Sequence, residues 1–345
     1  MRRTGGVVIR RCAAVIVSLL LVAFLVIAFA NRGLIKDHFV AATFDASPEV
    51  ATLTDNLNLT PAGERVFLAS EPAIGGSEHF TAWCSGVVRS EESHVLGCFK
   101  RDNIFLFNVT DPRLDGIVEV TAAHELLHAV FARMSPREQQ KLAKELRDEY
   151  DRLVIDTPEL AERMAVYESL SPTAYANELF AVLGTEEAPL NEHLEARYAD
   201  WFNEREDIVS IHEQVFSVFV DLRARAAELS AELTTLKDSI EERSESYTAS
   251  VAAYNSEAAE FKDRNKRFEF SDNIAEFDEI RWHLLDWHAE LEEELASLRT
   301  DTDHYNELRE ELEGLKQIGA ELDASMNSMP APAIEAPAPS DEIDE

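Results

Sequence analysis

His124-Glu125-Leu126-Leu127-His128 brings two potential metal ligands and a carboxylate base together within five residues. Histidines at i and i+4 of a helix lie on one face, a spacing that suits a single tetrahedral zinc ion. Glu125, beside the first histidine, is then placed to deprotonate a zinc-bound water, the chemistry of metal-assisted peptide hydrolysis. The pattern is short enough to arise by accident, as a pair of ordinary buried or surface histidines. Its surroundings decide what it means.

A helix starting near residues 114–118 and running to about Met134 carries the motif, and Ser135-Pro136 ends it. Val120, Ala123, Leu127, Val130, Phe131 and Met134 recur at helical spacing and predict a buried stripe, with His124 and His128 at its edge facing a cleft. A catalytic zinc needs a third protein ligand and an open fourth position. No glycine or third histidine follows His128 closely, which excludes the metzincin arrangement. Downstream, Tyr175-Ala176-Asn177-Glu178-Leu179-Phe180-Ala181 places Glu178 in a short apolar helix, where a solvated glutamate is out of place.

HExxH followed on a later helix by Asn-Glu-x-x-Ala resembles the gluzincins, zinc metallopeptidases with two histidines and a glutamate as ligands. Tyr175, Glu178, Phe180 and Ala181 are similar to the glutamate helix of the anthrax lethal factor-like peptidases, and the resemblance covers about residues 100–185. It implies that His124, His128 and Glu178 bind zinc and that Glu125 is the general base and acid. It also implies a Tyr or His as transition-state donor. Tyr175, at i,i+3 from Glu178, is the first candidate, with Tyr167 and His193 behind it. Many gluzincins place an acidic residue directly after the alanine to orient a ligand histidine, and this chain has Val182 there. That role falls to Glu119, Glu168, Glu186 or a backbone carbonyl.

The elements around the motif predict an α+β domain with a small, mostly antiparallel sheet. Val66–Ala69, Phe80–Trp83, Val95–Phe99 and Ile104–Phe107 are short apolar runs separated by Pro, Gly and Asp, and they read as strands. Ile104, Phe105 and Leu106, shortly before the motif helix, form a candidate edge on which a peptide substrate adds as an extra strand. Cys84 and Cys98 flank the polar stretch Arg89–Ser93 and predict a disulfide-clipped hairpin, worth roughly 3 kcal/mol for a loop of that length. Two buried free thiols are the alternative. Further helices are expected over 136–154, 158–170, 172–183 and 190–206.

Leu222, Ala226, Leu229, Leu233, Leu236 and Ile240 alternate steps of four and three, the seam of a coiled coil. A looser repeat runs from Leu284 to Leu322, and the heptad lapses over 265–274. The pattern predicts an antiparallel helical hairpin, with a parallel dimeric rod as the alternative; either offers a surface for a protein partner or self-association. The Pro/Ala/acidic tail, 327–345, has almost nothing to bury.

Arg2, Arg3, Arg10 and Arg11 precede an uncharged apolar run from Cys12 to Ala30, about 28 Å as a helix and close to the hydrocarbon thickness of a bilayer. The flanking arginines put the N-terminus in the cytoplasm and the bulk of the chain outside. A signal peptide cut after Ala28-Phe29-Ala30 is the competing reading, with a secreted product. Lys+Arg number 32 against 66 Asp+Glu, a net charge of −34 that excludes nucleic acid as a partner.

The sequence thus divides into an N-terminal stub and anchor (1–31), a peptidase-like domain (32–206), a coiled-coil hairpin (207–326) and a tail (327–345). It reads as a membrane-anchored, extracytoplasmic zinc metallopeptidase acting on a peptide or protein substrate. The alternative is a non-catalytic envelope scaffold or partner-binding protein with a degenerate or structural zinc site.

Overall fold

The computed structural model describes residues 19–23, 25–29, 31–85 and 95–328. Two compact units emerge: one up to Ser217 together with the residues from Asp323 onward, the other Val218–Leu322. The protein is mostly helical with one small sheet.

The first unit opens with α1 (Leu19–Phe29) and α2 (Arg32–Thr43). Among the described residues no single helix is long and apolar enough to cross a membrane, but α1 and α2, bent by 66°, pass that test together. Residues 12–18, 24 and 30 of the predicted span, the Arg89–Ser93 stretch and the tail from 329 onward lie outside the described residues.

Helices α3 (Pro48–Asn56) and α4 (Pro61–Ala69) follow, then strand β1 (Ala73–Gly75) and helix α5 (Ser77–Trp83). Two of the four apolar runs expected as strands are therefore helical. Val66–Ala69 is the end of α4, because Thr60-Pro61 supplies a strong helix start: Thr60 Oγ1 accepts the Gly63 N–H at 3.1 Å, and proline at the first helical position loses no bond. Phe80–Trp83 closes α5, which begins after Gly76 with Glu78 in its first turn. A four-residue apolar run carries no period of its own, so the start signal upstream decides its state.

The sheet comprises β1, β2 (Gly97–Lys100) and β3 (Asn103–Phe107) in the order β1-β3-β2. It is mixed rather than antiparallel: β1 runs parallel to β3 with Ile74 opposite Leu106, and β2 runs antiparallel to it with Cys98 opposite Phe105. The pleat sends Ile104 and Leu106 into the main core, while Phe105 and Phe107 join a smaller cluster with Phe80, Cys84 and Cys98. Cys84 and Cys98 form the expected disulfide, with Cα atoms 6.0 Å apart. Cys84 follows α5 directly, so the bond ties a helix end to β2 and does not clip a hairpin.

The motif helix is α6 (Ile117–Arg133), followed by α7 (Pro136–Leu153), α8 (Pro158–Ala165), α9 (Pro172–Glu186) and α10 (Glu192–Tyr198). The sharp start of α7 is a full capping box, in which Ser135 and Glu138 satisfy each other's backbone N–H groups. The expected helix over 190–206 stops at Tyr198; Phe202 then bridges to Leu59 before the next helix begins. α6 lies at the centre of the core, packed against α4, α9, β2 and β3. Ala123, Leu127, Val130 and Phe131 are buried as the periodicity predicts, and Ala122, Leu126 and Ala129 are buried with them.

The second unit contains most of α11 (Arg205–Lys266) and α12 (Ile274–Met326). Within it the arms run antiparallel: Arg225 meets Glu311 at 2.7 Å, Arg243 meets Glu294 at 2.8 Å, and Trp287 Nε1 donates to Ser250 Oγ at 3.0 Å. Leu229, Leu233 and Leu308 are buried between the arms, with Leu236, Tyr305 and Leu312 against them. Phe261, Phe270 and Phe277 pack together at the turn.

One buried carboxylate fastens α7 to the start of α10. Glu149 accepts from Arg152 at 2.6 and 2.9 Å and from the Asn191 backbone N–H at 2.8 Å, and these donors hold its pKa down at about 2, Arg152 contributing most. A depressed carboxylate stabilises the fold above its ordinary value of 4.5, and that contribution disappears as pH falls from 4.5 towards 2. Glu149→Gln is expected to cost about 1–3 kcal/mol at pH 7. Denaturant melts across pH should show the gap between parent and variant closing through that window; a gap independent of pH would refute the assignment.

Candidate metal centre

Two helices bring the predicted ligands together. α6 carries His124, Glu125 and His128, whose ligand atoms lie within 4.8 Å of one another. α9 crosses α6 closely because residue 184 is glycine: a Cβ there would sit 2.3 Å from Leu127 Cδ1 and 2.7 Å from Tyr198 Cε1. This approach delivers Glu178, whose Oε2 stands 3.6 Å from His128 Nε2 and 3.9 Å from His124 Nε2. The imidazole rings are nearly perpendicular, with centroids 4.8 Å apart.

These separations suit shared ligation. Two ligand atoms about 2.1 Å from one tetrahedral zinc lie roughly 3.4 Å apart. An ion pair explains the cluster less well, because burial, then His128 and Arg163, push the His124 pKa well below its ordinary value and keep the ring neutral. Two neutral imidazole nitrogens and one carboxylate oxygen form the donor set of a catalytic zinc site, with a fourth position left for water or substrate. The residues present therefore fit the metal.

Glu125 is buried beside the ligands, and its Oε2 has no hydrogen-bond partner. Burial raises its pKa to about 7, and Glu178 adds to the rise; His128 and a bond from the Phe99 backbone oppose it. Strand β2 passes directly over this carboxylate. A Cβ on Gly97 would lie 2.7 Å from Glu125 Oε1 and 2.6 Å from Thr121 Cγ2, so only glycine lets the strand approach so closely. Cys98, between the two residues that touch Glu125, carries the disulfide.

The expected substrate edge is displaced by one strand. Ile104, Phe105 and Leu106 lie on β3, the central strand, whose two sides are taken by β1 and β2. Ile104 and Leu106 are fully buried and cannot meet a peptide. The cause is β1, a strand of three residues that is too short to leave an alternating pattern in the sequence. The edge beside Glu125 is β2.

Tyr175 does not join the cluster. It turns towards α7, with the Arg147 guanidinium 4.5 Å over its ring. Tyr167 is the other candidate phenol: Arg163 Nη1 donates to its hydroxyl at 3.1 Å, and its ionisation is opposed first by burial and also by the charge of Glu178. Arg163 is itself held by a bidentate pair with Glu186 at 3.0–3.3 Å, and His212 Nε2 lies 3.8 Å from the same carboxylate. Arg163 and His212 both help to depress the His124 pKa, after burial and His128. His193 is exposed on α10, 3.3 Å from Glu145, and takes no part.

None of the carboxylates expected to orient a ligand histidine is positioned to do so. Glu119 accepts from Asn56, Glu186 is engaged by Arg163, Glu168 is exposed, and Val182 is fully buried in the core. His128 Nδ1 is buried without a partner. No protein-family model, no curated protein and no solved structure matches this chain. The reading of the site rests on its own geometry.

Gly97 provides a direct test of that geometry. Gly97→Ala is expected to displace the Glu125 carboxylate while leaving His124, His128 and Glu178 in place. If the site is a hydrolytic zinc centre, zinc content by atomic absorption should stay at the parent level while peptide hydrolysis falls about tenfold or more; parent-level turnover would show that β2 does not fix Glu125.

Proposed function

We propose that the protein is a zinc metallopeptidase. The observation that carries this reading is the meeting of Glu178, from a separate helix, with both His124 and His128, beside a buried Glu125 whose Oε2 has no partner. His124, His128 and Glu178 would hold the ion, which when bound acidifies a coordinated water and polarises the scissile carbonyl.

The remaining chemistry belongs to the chain. Glu125, buried with a free Oε2, accepts a proton from the attacking water at that atom and returns it to the leaving amine. Tyr167, steadied by Arg163, takes the transition-state donor role in place of Tyr175. A peptide adding to the side of β2 away from β3, unpaired among the described residues, would run beside Glu125. The apolar segment 12–30 is the anchor in this reading, with the catalytic unit on the extracytoplasmic side. The antiparallel hairpin, with Phe268 and Trp282 exposed at 79% and 63%, offers a surface for a protein partner.

The test separates metal binding from turnover. Parent protein should carry about one zinc per chain and hydrolyse a casein-type substrate. Glu125→Gln should keep the zinc and lose about 10²- to 10⁴-fold in rate; unchanged activity would sink the assignment. His124→Ala should lose zinc and activity together. A parent protein without zinc would favour the non-catalytic scaffold. Between the phenols, Tyr167→Phe should lower kcat with little change in KM, and Tyr175→Phe should leave kcat near the parent value; the reverse pattern would return the role to Tyr175.

A further inference from the structure

Helix α2 presents an apolar face that none of the described residues covers. Leu34, Ile35 and Phe39 are 49%, 53% and 71% exposed. With His38 and Ala42 they occupy an arc of roughly 140° at the helical repeat. The opposite face is committed to the fold. Asp37 is buried there and takes a two-pronged bond from Arg133 at the end of α6, at 3.0 and 3.3 Å; Lys36, exposed between the two faces, pairs with Asp102 at 2.8 Å.

What covers the apolar face is indicated by charge and by continuity. Residues 1–36 contain Arg2, Arg3, Arg10, Arg11, Arg32 and Lys36 and no acidic residue, in a chain whose net charge is −34. Arg32 and Lys36 flank one border of the face, and Arg32 lies 4.7 Å over the ring of Phe29. The described residues of α1, two positions upstream, expose Leu19, Leu20, Leu21, Val22, Leu25 and Val26. A short helix with bulky apolar residues on one face, cations at the rim and an exposed apolar helix entering it at 66° has the form of an interfacial membrane helix.

We propose that α2 lies in the headgroup–acyl boundary of a lipid bilayer on Leu34, Ile35 and Phe39, and that the Asp37–Arg133 pair joins this helix rigidly to the metal-binding helix. The inference rests on the reading that residues 12–30 enter the bilayer. Its consequence is positional. One helix diameter separates the lipid-facing side of α2 from Asp37, and nine residues of α6 separate Arg133 from His124. The His124 end therefore stays within about 25 Å of the lipid surface. Substrates held close to that surface are then within reach of the site.

The full-length chain carrying Cys12→Ser and Phe39→Cys has a single free thiol, since Cys84 and Cys98 are bonded to each other. Labelled there with an environment-sensitive fluorophore and reconstituted into phosphatidylcholine–phosphatidylglycerol vesicles, it should show blue-shifted emission, quenching by lipids bearing a shallow nitroxide, and protection from iodide present on both sides. A label open to iodide and unquenched by lipid, on protein that still floats with the vesicles, would overturn the inference and leave the anchor standing. Protection from both quenchers would assign the face to a protein, whether a second copy or a partner, and also overturn it. Failure of the chain to float would remove the anchor and the inference together.

Discussion

The contact between α6 and α9 is the constraint on which the site depends. Two histidines on one helix supply two ligands, and a third from anywhere else requires a second element within side-chain reach. Glycine at 184 lets the helices approach closely, and Phe180 fills the space beside Phe131 with ring centroids 6.2 Å apart. Tyr198 then stacks on Phe180 at 5.0 Å and donates its hydroxyl to the Phe180 carbonyl at 2.8 Å. The far end of α9 is fixed by Arg205, buried, which donates to the carbonyls of Leu183, Gly184 and Glu187 and pairs with Glu195. A cation at those otherwise unpaired carbonyls both satisfies them and opposes the helix dipole. The position of Glu178 is thus the outcome of packing several residues away from it.

How much of this could be read from the sequence follows from where each signal lives. The motif helix was legible because its apolar residues repeat at helical spacing and Ser135-Pro136 closes it. Glu178 was legible because a carboxylate in an apolar helix demands a reason. Val66–Ala69 and Phe80–Trp83 were misread as strands because four apolar residues fit either state, and Thr60-Pro61 was the better guide to the first. Tyr175 shows a different failure. Sharing a face at i,i+3 identifies the site-facing side only when a helix has one buried face, and α9 is buried from Tyr175 to Thr185 apart from Asn177 and Glu178. Its several faces meet different neighbours, and the one bearing Tyr175 meets α7.

Arg163 and His212 had no trace in the sequence at all. Arg163 and its partner Glu186 lie 23 positions apart, on α8 and α9, and His212 comes from the start of α11. In a chain so rich in charge, one arginine on an eight-residue helix looks like a solvated residue. Only the fold shows it desolvated, paired with Glu186 and bonded to Tyr167. The electrostatic logic is local in the same way. The net charge of −34 belongs to the chain as a whole, but His124 responds to its burial, to His128 and to the charges of Arg163 and His212.

In the proposed reading Glu125 needs a fixed ceiling over it, and β2 is a weak element to provide one. It has four residues, lies at the edge of a three-stranded sheet, and faces α6 through a glycine that lacks a side chain to interlock. Edge strands of this length hold by ladder bonds on one side only. The disulfide enters the strand at Cys98, between the glycine against Glu125 and the residue whose backbone bonds to it. A cross-link over a separation of 14 residues contributes roughly 3 kcal/mol by restricting the unfolded chain. Here it also restricts the folded one, because it ties the strand that defines the Glu125 pocket to the end of α5. The small cluster of Phe80, Cys84, Cys98 and Phe107, with Trp83 stacked on Phe105 at 5.1 Å, is therefore part of the site's support although no member of it touches a ligand atom.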